Sequence, residues 1–545
     1  MDISAQYNVA TPDSFPSRRF FLKVFGAFSE SQIKEPKENH PQHEDLWQVR
    51  NRASYAFYAM AFAVSISIWF IAIRAPQGLD ETGSYWAINA GFSGIWPRHF
   101  LSILFPAYSY ILWLSTKLIG TSEIALRIPS ILAMLGAAYL LYLAAREIFE
   151  HDLAIIATVI FCLHPIVVFA SIDIRPYAFG VLATNAAILV LLRLRRSSSN
   201  WLAALFGLTA ASIVWFHYLL GVILPALLLC FIAFKFRDRK TFWKQFSFAL
   251  AAFALAFLPV IPGLMDMFRT SKTHVYELAP NLFDLARTLA PRSFLFVLCA
   301  TGFVAFLIPA ARQRRDPSNR FEGWHLLLCA SLALIPILIL YGVSVGTSIH
   351  TFASRHRLEA IPGIALCWVF VLSRFSSRNL RLLFCAAIVA ITAFQSFTSP
   401  FTRVHKKSMR SAIEFVERNA SVDDAPVLMC SDFVESNYAA MQSIETVKDS
   451  PYFAPLTYYR LSVPVIPLPQ LINDETIQVG SQFLQEAAQN HKRFLVVADQ
   501  FYSYRTLDWF TSNAAATHSV HNLGVFSGTE VLEFVPRTSL APQSD

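Results

Sequence analysis

Apolar runs of about 20 residues recur along most of this chain, from "ASYAFYAMAFAVSISIWFIAI" at 53–73 to "LRLLFCAAIVAITAFQSF" at 380–397, and no other feature restricts its fold as strongly. At about 1.5 Å of rise per residue, a helix of that length crosses a hydrocarbon core of about 30 Å. Backbone in hydrocarbon must satisfy its own polar groups, which for isolated apolar runs means helix. Composition agrees, since 15% of the 545 residues are charged where a soluble protein carries about 25%. The expected fold is therefore a polytopic α-helical membrane protein. The first run follows the polar segment 1–50 and lacks a small-residue cleavage site, so it reads as a retained first transmembrane helix behind a disordered cytoplasmic tail.

Charge sets the expected topology. The loops "RLRRSSSN" (193–200), "KFRDRK" (235–240), "RQRRDPSNR" (312–320) and "SRFSSRNLR" (373–381) are strongly basic, and the positive-inside rule makes them cytoplasmic. Most of the net charge of +8 lies in such short loops, so it reads as a topology signal and implies no nucleic-acid partner. Counting crossings between these loops puts "SIDIRPY" (171–177) and "WFHYL" (215–219) outside. Parity then requires "FLSILFPAYSYILWLSTKLIG" (100–120) to lie on the outer surface as an interfacial helix, a placement that suits its Trp113, Tyr108, Tyr110 and Lys117. Further spans are expected near 245–262, 291–310, 324–342, 358–372 and 380–397, for a total of about eleven crossings. This gives a cytoplasmic tail (1–50), a transmembrane domain (51–400) and an external domain (401–545), in a plasma or inner membrane with its outer face periplasmic or extracellular.

That topology gathers charge on one face. Asp80 and Glu81 in "RAPQGLDETGSYW", Asp173, Arg175 and Tyr177 in "DIRPY", His217 and Tyr218, and Arg355, His356 and Arg357 in "ASRHRLEAIPG" all fall outside. Charged groups at a membrane border cost free energy unless they pair or do work. Cations there could hold a lipid phosphate emerging from the bilayer, and a carboxylate could take a proton from an acceptor hydroxyl. Each residue also has a plainer reading: a solvated turn for Asp80 and Glu81, a structural ion pair for Asp173 and Arg175, snorkelling helix ends for Arg355 and Arg357. Six of the seven cysteines lie in apolar runs and only Cys430 outside them, so no disulfide framework is expected within the external domain.

Order and spacing are more specific than any single residue. An "LDE" triplet (Leu79, Asp80, Glu81) after the first transmembrane run precedes Pro106 and Tyr108 in "FPAYSYIL", then "GTSEIALRIPSIL" (120–132) and "SIDIRPYAF" (171–179). This series resembles the GT-C glycosyltransferases that use polyprenyl-phosphate sugars, which include protein O-mannosyltransferases and lipid A aminoarabinose transferases. The likeness covers roughly residues 50–400. It departs where that family tends to read Pro-Pro-Leu-Tyr-Tyr and this chain reads Phe105-Pro106-Ala107-Tyr108-Ser109. The resemblance implies a GT-C fold, a polyprenyl-phosphate sugar donor, and an acceptor that is a glycan, lipid or protein. It implies Asp80 as catalytic base with Glu81 beside it. Asp173, Arg175, Tyr177, His217, Tyr218, Arg355 and Arg357 become candidate substrate-binding residues. The scheme calls for no metal or cofactor, although a carboxylate cluster of Asp80, Glu81 and Asp173 could hold a metal. Alternatives left open are a transporter without chemistry and a polysaccharide polymerase or ligase using a diphosphate-linked donor.

After residue 400 the pattern changes to helical and strand periods in alternation: "SMRSAIEFVERNA", "APVLMCSD", "SVPVIPLP", "SQFLQEAAQN", "RFLVVADQ" and a hairpin "VFSGTEVLEFVP". This reads as a small soluble α/β domain. No Gly-rich phosphate loop, metal spacing or nucleophile motif occurs in it.

Overall fold

The computed structural model describes residues 59–102, 106–236, 238–270, 279–289, 323–375, 378–398, 408–420, 425–433, 436, 450–471, 474–500 and 503–537. The polar segment 1–50 and the run expected to cross at 291–310 lie outside the described residues.

The first part of the chain is helical. Its helices are α1 (Ala59–Ala72), α2 (Leu79–Asn89), α3 (Phe92–Ser102), α4 (Pro106–Ile119), α5 (Glu123–Arg146), α6 (His151–Leu163), α7 (Pro165–Ile172), α8 (Tyr177–Arg195) and α9 (Asn200–Phe216). There follow α10 (Leu224–Lys235), α11 (Arg239–Phe257), α12 (Ile261–Thr270), α13 (Leu282–Leu289), α14 (Gly323–Gly346), α15 (Ile361–Leu372) and α16 (Arg378–Thr398). Among the described residues six helical segments are by themselves long and apolar enough to cross a membrane, or seven if α6 and α7 form one span bent by 67°. The bend falls where Pro165 interrupts the helix: proline disfavours helical backbone at the residue before it, and His164 is extended there (ψ 130°). The crossings expected at 53–73 and 358–372 meet α1 and α15, which are too short to be among those six. α4, with 14 residues, is only about 21 Å long by helical rise and is not among the spanning helices.

Small residues set how closely the helices approach. A Cβ at Gly207 on α9 would lie 2.0 Å from the Ala249 carbonyl oxygen on α11, and one at Gly363 on α15 would lie 2.4 Å from the backbone of Leu332 on α14. Such contacts suit association in lipid, where packing rather than water exclusion draws helices together.

The C-terminal part holds a five-stranded sheet in the order β2-β1-β3-β5-β4: β1 (Val427–Cys430), β2 (Val465–Leu468), β3 (Phe494–Asp499), β4 (His518–Phe526) and β5 (Thr529–Pro536). β1 runs parallel to β2 and β3, while β3 pairs antiparallel with β5. A two-residue turn, Ser527-Gly528, with both φ positive, closes the β4–β5 hairpin. Among the described residues four helices accompany the sheet: α17 (Arg410–Ala420), α18 (Ala454–Tyr458), α19 (Asp474–Gln489) and α20 (Tyr504–Ala514). β3 is buried along its whole length because side chains of alternate parity face two cores. Val496 and Ala498 meet Leu484 and Phe510, while Leu495 and Val497 meet Ile413 and Val416. The α/β reading of this region holds, and α20 is an element the sequence did not announce.

The Gly207 contact predicts a stability difference. Gly207→Ala should overpack the α9–α11 crossing, where such changes cost about 1–3 kcal/mol, and so lower the melting temperature in detergent. Gly342→Ala on α14, where a Cβ meets nothing within 4 Å, should leave it unchanged or raise it slightly.

Candidate active site

The two adjacent carboxylates of "LDE" have opposite environments. Both sit in the first turn of α2, where acidic groups complement the helix N-terminus, but one residue of helix turns them about 100° apart. The Glu81 side chain is 1% exposed and that of Asp80 is 41% exposed. Glu81 Oε2 accepts the Gly78 backbone N–H at 2.7 Å and so closes the start of α2. Its other oxygen, Oε1, accepts the Ile174 backbone N–H at 3.1 Å and thereby fixes the "DIRPY" loop.

Arg127 of α5, itself fully buried, faces Glu81. Its Nε donates to Glu81 Oε1 at 3.3 Å and its Nη2 to Oε2 at 3.1 Å. The remaining donors go to backbone: Nη1 to the carbonyls of Ile73 and Ala75, Nη2 to that of Pro76 at 3.2 Å. One ion pair therefore joins the segment after α1, the start of α2, the body of α5 and the loop before α8. The sequence shows Arg127 only as part of "RIPS"; its partner is 46 positions away.

Asp80 is turned the other way, toward a group of cations and rings. Arg355 Nη1 donates to Asp80 Oδ2 at 3.1 Å, and Arg175 Nη1 lies 3.5 Å from the Asp80 carbonyl oxygen. Arg175 Nε is buried and has no hydrogen-bond partner among the described residues. Behind the arginines the His217 ring stacks on Tyr177 and on Tyr218, each at 5.0 Å, and lies 6.2 Å from the His356 ring. His356 Nδ1 donates to the Thr351 carbonyl at 2.8 Å while its Nε2 accepts from Arg355 Nε at 3.4 Å, an arrangement that the neutral Nδ1–H tautomer satisfies. Burial, reinforced by Arg355, pushes the His356 pKa down to about 3. Burial, then His356, Arg175 and Arg355, holds His217 well below its usual range. The positive charge facing Asp80 therefore comes from Arg175 and Arg355.

Two residues beyond Arg355, on the same 3-10 turn (Ser354–Ala360), Arg357 points elsewhere. Its Nη1 donates to Thr288 Oγ1 of α13 and its Nη2 to Ser354 Oγ at 2.8 Å. There it lines a cavity of about 940 Å³ with a polar rim that includes His164, Arg287 and Thr288. The cavity body is apolar, with Ile337, Ile364, Trp368 and Ile391 from α14, α15 and α16. Sequence reasoning missed this cavity, because its lining residues are ordinary members of apolar runs.

Of the candidate residues, Asp80, Arg175, Tyr177, His217, Tyr218 and Arg355 form one group. Arg357 faces the cavity and Glu81 the core. Asp173 is 3% exposed, and its carbonyl accepts the Ser130 hydroxyl at 2.7 Å. Because the Glu81 carboxylate is committed to Arg127 and two backbone N–H groups, Asp80, Glu81 and Asp173 do not converge. Among the described residues no group of three or more His, Cys, Asp or Glu is arranged to hold a metal ion.

Arg127→Ala strands a fully buried carboxylate, a change that costs about 3–5 kcal/mol, so folded protein should be recovered poorly or melt well below wild type in detergent. His356 takes up its proton at about 6.5 when unfolded and at about 3 when folded. Between these values the unfolded state holds more protons, so stability falls as pH drops from about 6.5 toward about 3. His356→Gln should make that acid slope shallower in unfolding titrations of the two proteins compared side by side.

Residues 105–265 match the family described as dolichyl-phosphate-mannose-protein mannosyltransferase. A comparison with curated proteins gives no match. Among solved structures, ArnT from Cupriavidus metallidurans aligns both in its apo state and bound to undecaprenyl phosphate. Each alignment has a TM-score of 0.51 at 11% identity and covers 88% of this chain and 98% of that one. The Archaeoglobus fulgidus oligosaccharyltransferase tethered with an acceptor peptide aligns at a TM-score of 0.43 and 11% identity, covering 89% of this chain and 75% of that one. The likeness to ArnT over most of the chain bears out the GT-C fold expected from the sequence, and the match at 105–265 lies within the region where the sequence resembles the GT-C glycosyltransferases.

Proposed function

We propose that this enzyme moves a sugar from a polyprenyl-phosphate donor to an acceptor hydroxyl on a glycan, lipid or protein, by a single inverting displacement in which Asp80 is the general base. The observation that carries the reading is the half-exposed Asp80 carboxylate, held by Arg355 beside Arg175, on a turn whose next arginine lines a deep apolar cavity. A polyprenyl tail must stay in an apolar medium while its phosphate and sugar meet water, and a cavity with a cationic rim suits such a molecule. The structural likeness to ArnT bound to undecaprenyl phosphate supports the same donor class.

In this scheme Asp80 removes the acceptor proton as the oxygen attacks the anomeric carbon. The bond from that carbon to the phosphate oxygen breaks, and polyprenyl phosphate departs as an anion. The leaving group needs cations rather than a protonating acid, and Arg175 and Arg355 supply them. Their partners support this use: the Arg355–Asp80 pair is partly open to solvent and so holds little free energy against an incoming phosphate, and Arg175 Nε is unpartnered. Tyr177, His217 and Tyr218 form an aromatic wall behind the arginines that suits a sugar ring.

The same proposal carries the topology read from the basic loops. It has eleven crossings between residues 51 and 400, a cytoplasmic segment 1–50, and Asp80 together with the 401–545 domain on the outer face of a plasma or inner membrane.

Purified protein incubated with labelled polyprenyl-phosphate sugars and membrane extract should transfer label; no transfer and no donor binding across a broad panel would overturn the reading. Binding confined to diphosphate-linked donors would replace it with a polymerase or ligase. Asp80→Asn keeps the shape and removes the base, so turnover should fall by about 10²–10⁴-fold with donor binding retained. Arg175→Ala should weaken donor binding as well as turnover. Near-normal turnover in Asp80→Asn would move the search for the base to Asp173.

A further inference from the structure

The start of α2 is held from two directions. Glu81 ties it to the helical bundle, and the C-terminal sheet region grips its other side. The Gln77 backbone N–H, one residue before the Gly78 cap, donates to Tyr459 Oη at 3.3 Å, and Tyr459 Oη donates in turn to Glu123 Oε1. Glu123 occupies the first turn of α5, where the helix N-terminus favours a carboxylate, and its second oxygen accepts from Arg410 Nη1 of α17 at 3.2 Å. Beside this chain Tyr458 Oη donates to the Thr121 carbonyl at 3.0 Å, and the Tyr458 ring packs edge-on against Tyr85 of α2 at 4.9 Å. Burial and the Glu123 carboxylate both hold the Tyr459 phenol protonated, so it remains a donor.

The Tyr459 hydroxyl is therefore shared between the sheet domain, α5 and the backbone that leads into α2. Gln77 is 1% exposed, so removing the hydroxyl leaves its backbone N–H buried without that acceptor. The α2 start would lose the one of its contacts with the C-terminal region that reaches the backbone before the Gly78 cap. Asp80 lies three residues further on, and displacing a reacting group by about 1 Å is enough to cost about 10²-fold in rate.

We propose that Tyr459, Glu123 and Arg410 form a latch through which the C-terminal sheet domain sets the position of the Asp80-bearing helix, with Tyr459 and Glu123 as positioning residues. The inference rests on the reaction proposed above for its catalytic consequence, but the latch itself is a statement about backbone order at residues 77–84. It gives the C-terminal domain a role in catalysis without any reactive group of its own.

The test uses the full-length protein in nanodiscs with two measurements. Hydrogen exchange at the amides of 79–84 reads the latch whatever the reaction is. Tyr459→Phe, which keeps the ring, should speed exchange there by about tenfold, with the global melting temperature within about 2 °C of wild type. Initial rates with a labelled polyprenyl-phosphate sugar should show kcat down by about tenfold or more with donor KM unchanged. Glu123→Leu, which removes both acceptors at similar volume, should behave alike, and the double variant should add little, because both changes break one chain of bonds. Unchanged exchange in both single variants overturns the latch, as does exchange that rises only in step with global unfolding. If Tyr459→Phe does not fold, Glu123→Leu decides by the same two criteria. If the wild type transfers no sugar, the proposed reaction fails while the exchange result still settles the latch.

Discussion

The buried pair of Glu81 and Arg127 is the contact on which the site depends. Neither charge is open to water, and the pair's other hydrogen bonds all go to backbone of the segments it ties together. Ion pairs of this kind add little net stability compared with apolar packing, but they are intolerant of partial formation, because half of one is a stranded charge. That intolerance confers specificity. The pair fixes the first loop, the long helix α5 and the "DIRPY" loop against one another, and Asp80, the next residue to Glu81, is placed with them.

Much of the fold was legible because its physics is local. Apolar runs of membrane-crossing length gave the helices, and the alternation of periods after residue 400 gave a mixed sheet whose central strand, β3, reads as an unbroken apolar run because both its faces are covered. The residues that make up the site were legible one by one and in their order. Their pairing was not. Arg355 and Asp80 are 275 positions apart, and nothing in either neighbourhood names the other. The adjacent Asp80 and Glu81 look equivalent in sequence, yet one faces solvent and the other the core, a difference that arises only from their angle on a packed helix. The cavity was invisible for a similar reason: an absence of atoms is a property of how helices lean, and the residues around it are those of any buried span.

The neutral histidines illustrate a further division. A histidine near a carboxylate suggests acid–base work in a sequence, but burial beside two arginines keeps His217 and His356 uncharged. They serve as shape and as hydrogen-bond relays, and the cationic character of the site is left to groups that cannot lose their protons. The electrostatic field over Asp80 is thereby insulated from ordinary changes in external pH.

The turn at Ser354–Ala360 has a consequence for how such chains can vary. A 3-10 turn has about three residues per turn, so Arg355 and Arg357, two apart, project about 120° from one another, one toward the carboxylate and the other toward the cavity. Substitutions at neighbouring positions can be absorbed, but a single inserted or deleted residue would rotate one arginine out of its compartment. Here chain length is a stricter constraint than chemical identity: variation among functional descendants of this sequence should appear as replaced letters, with no gaps between these two positions.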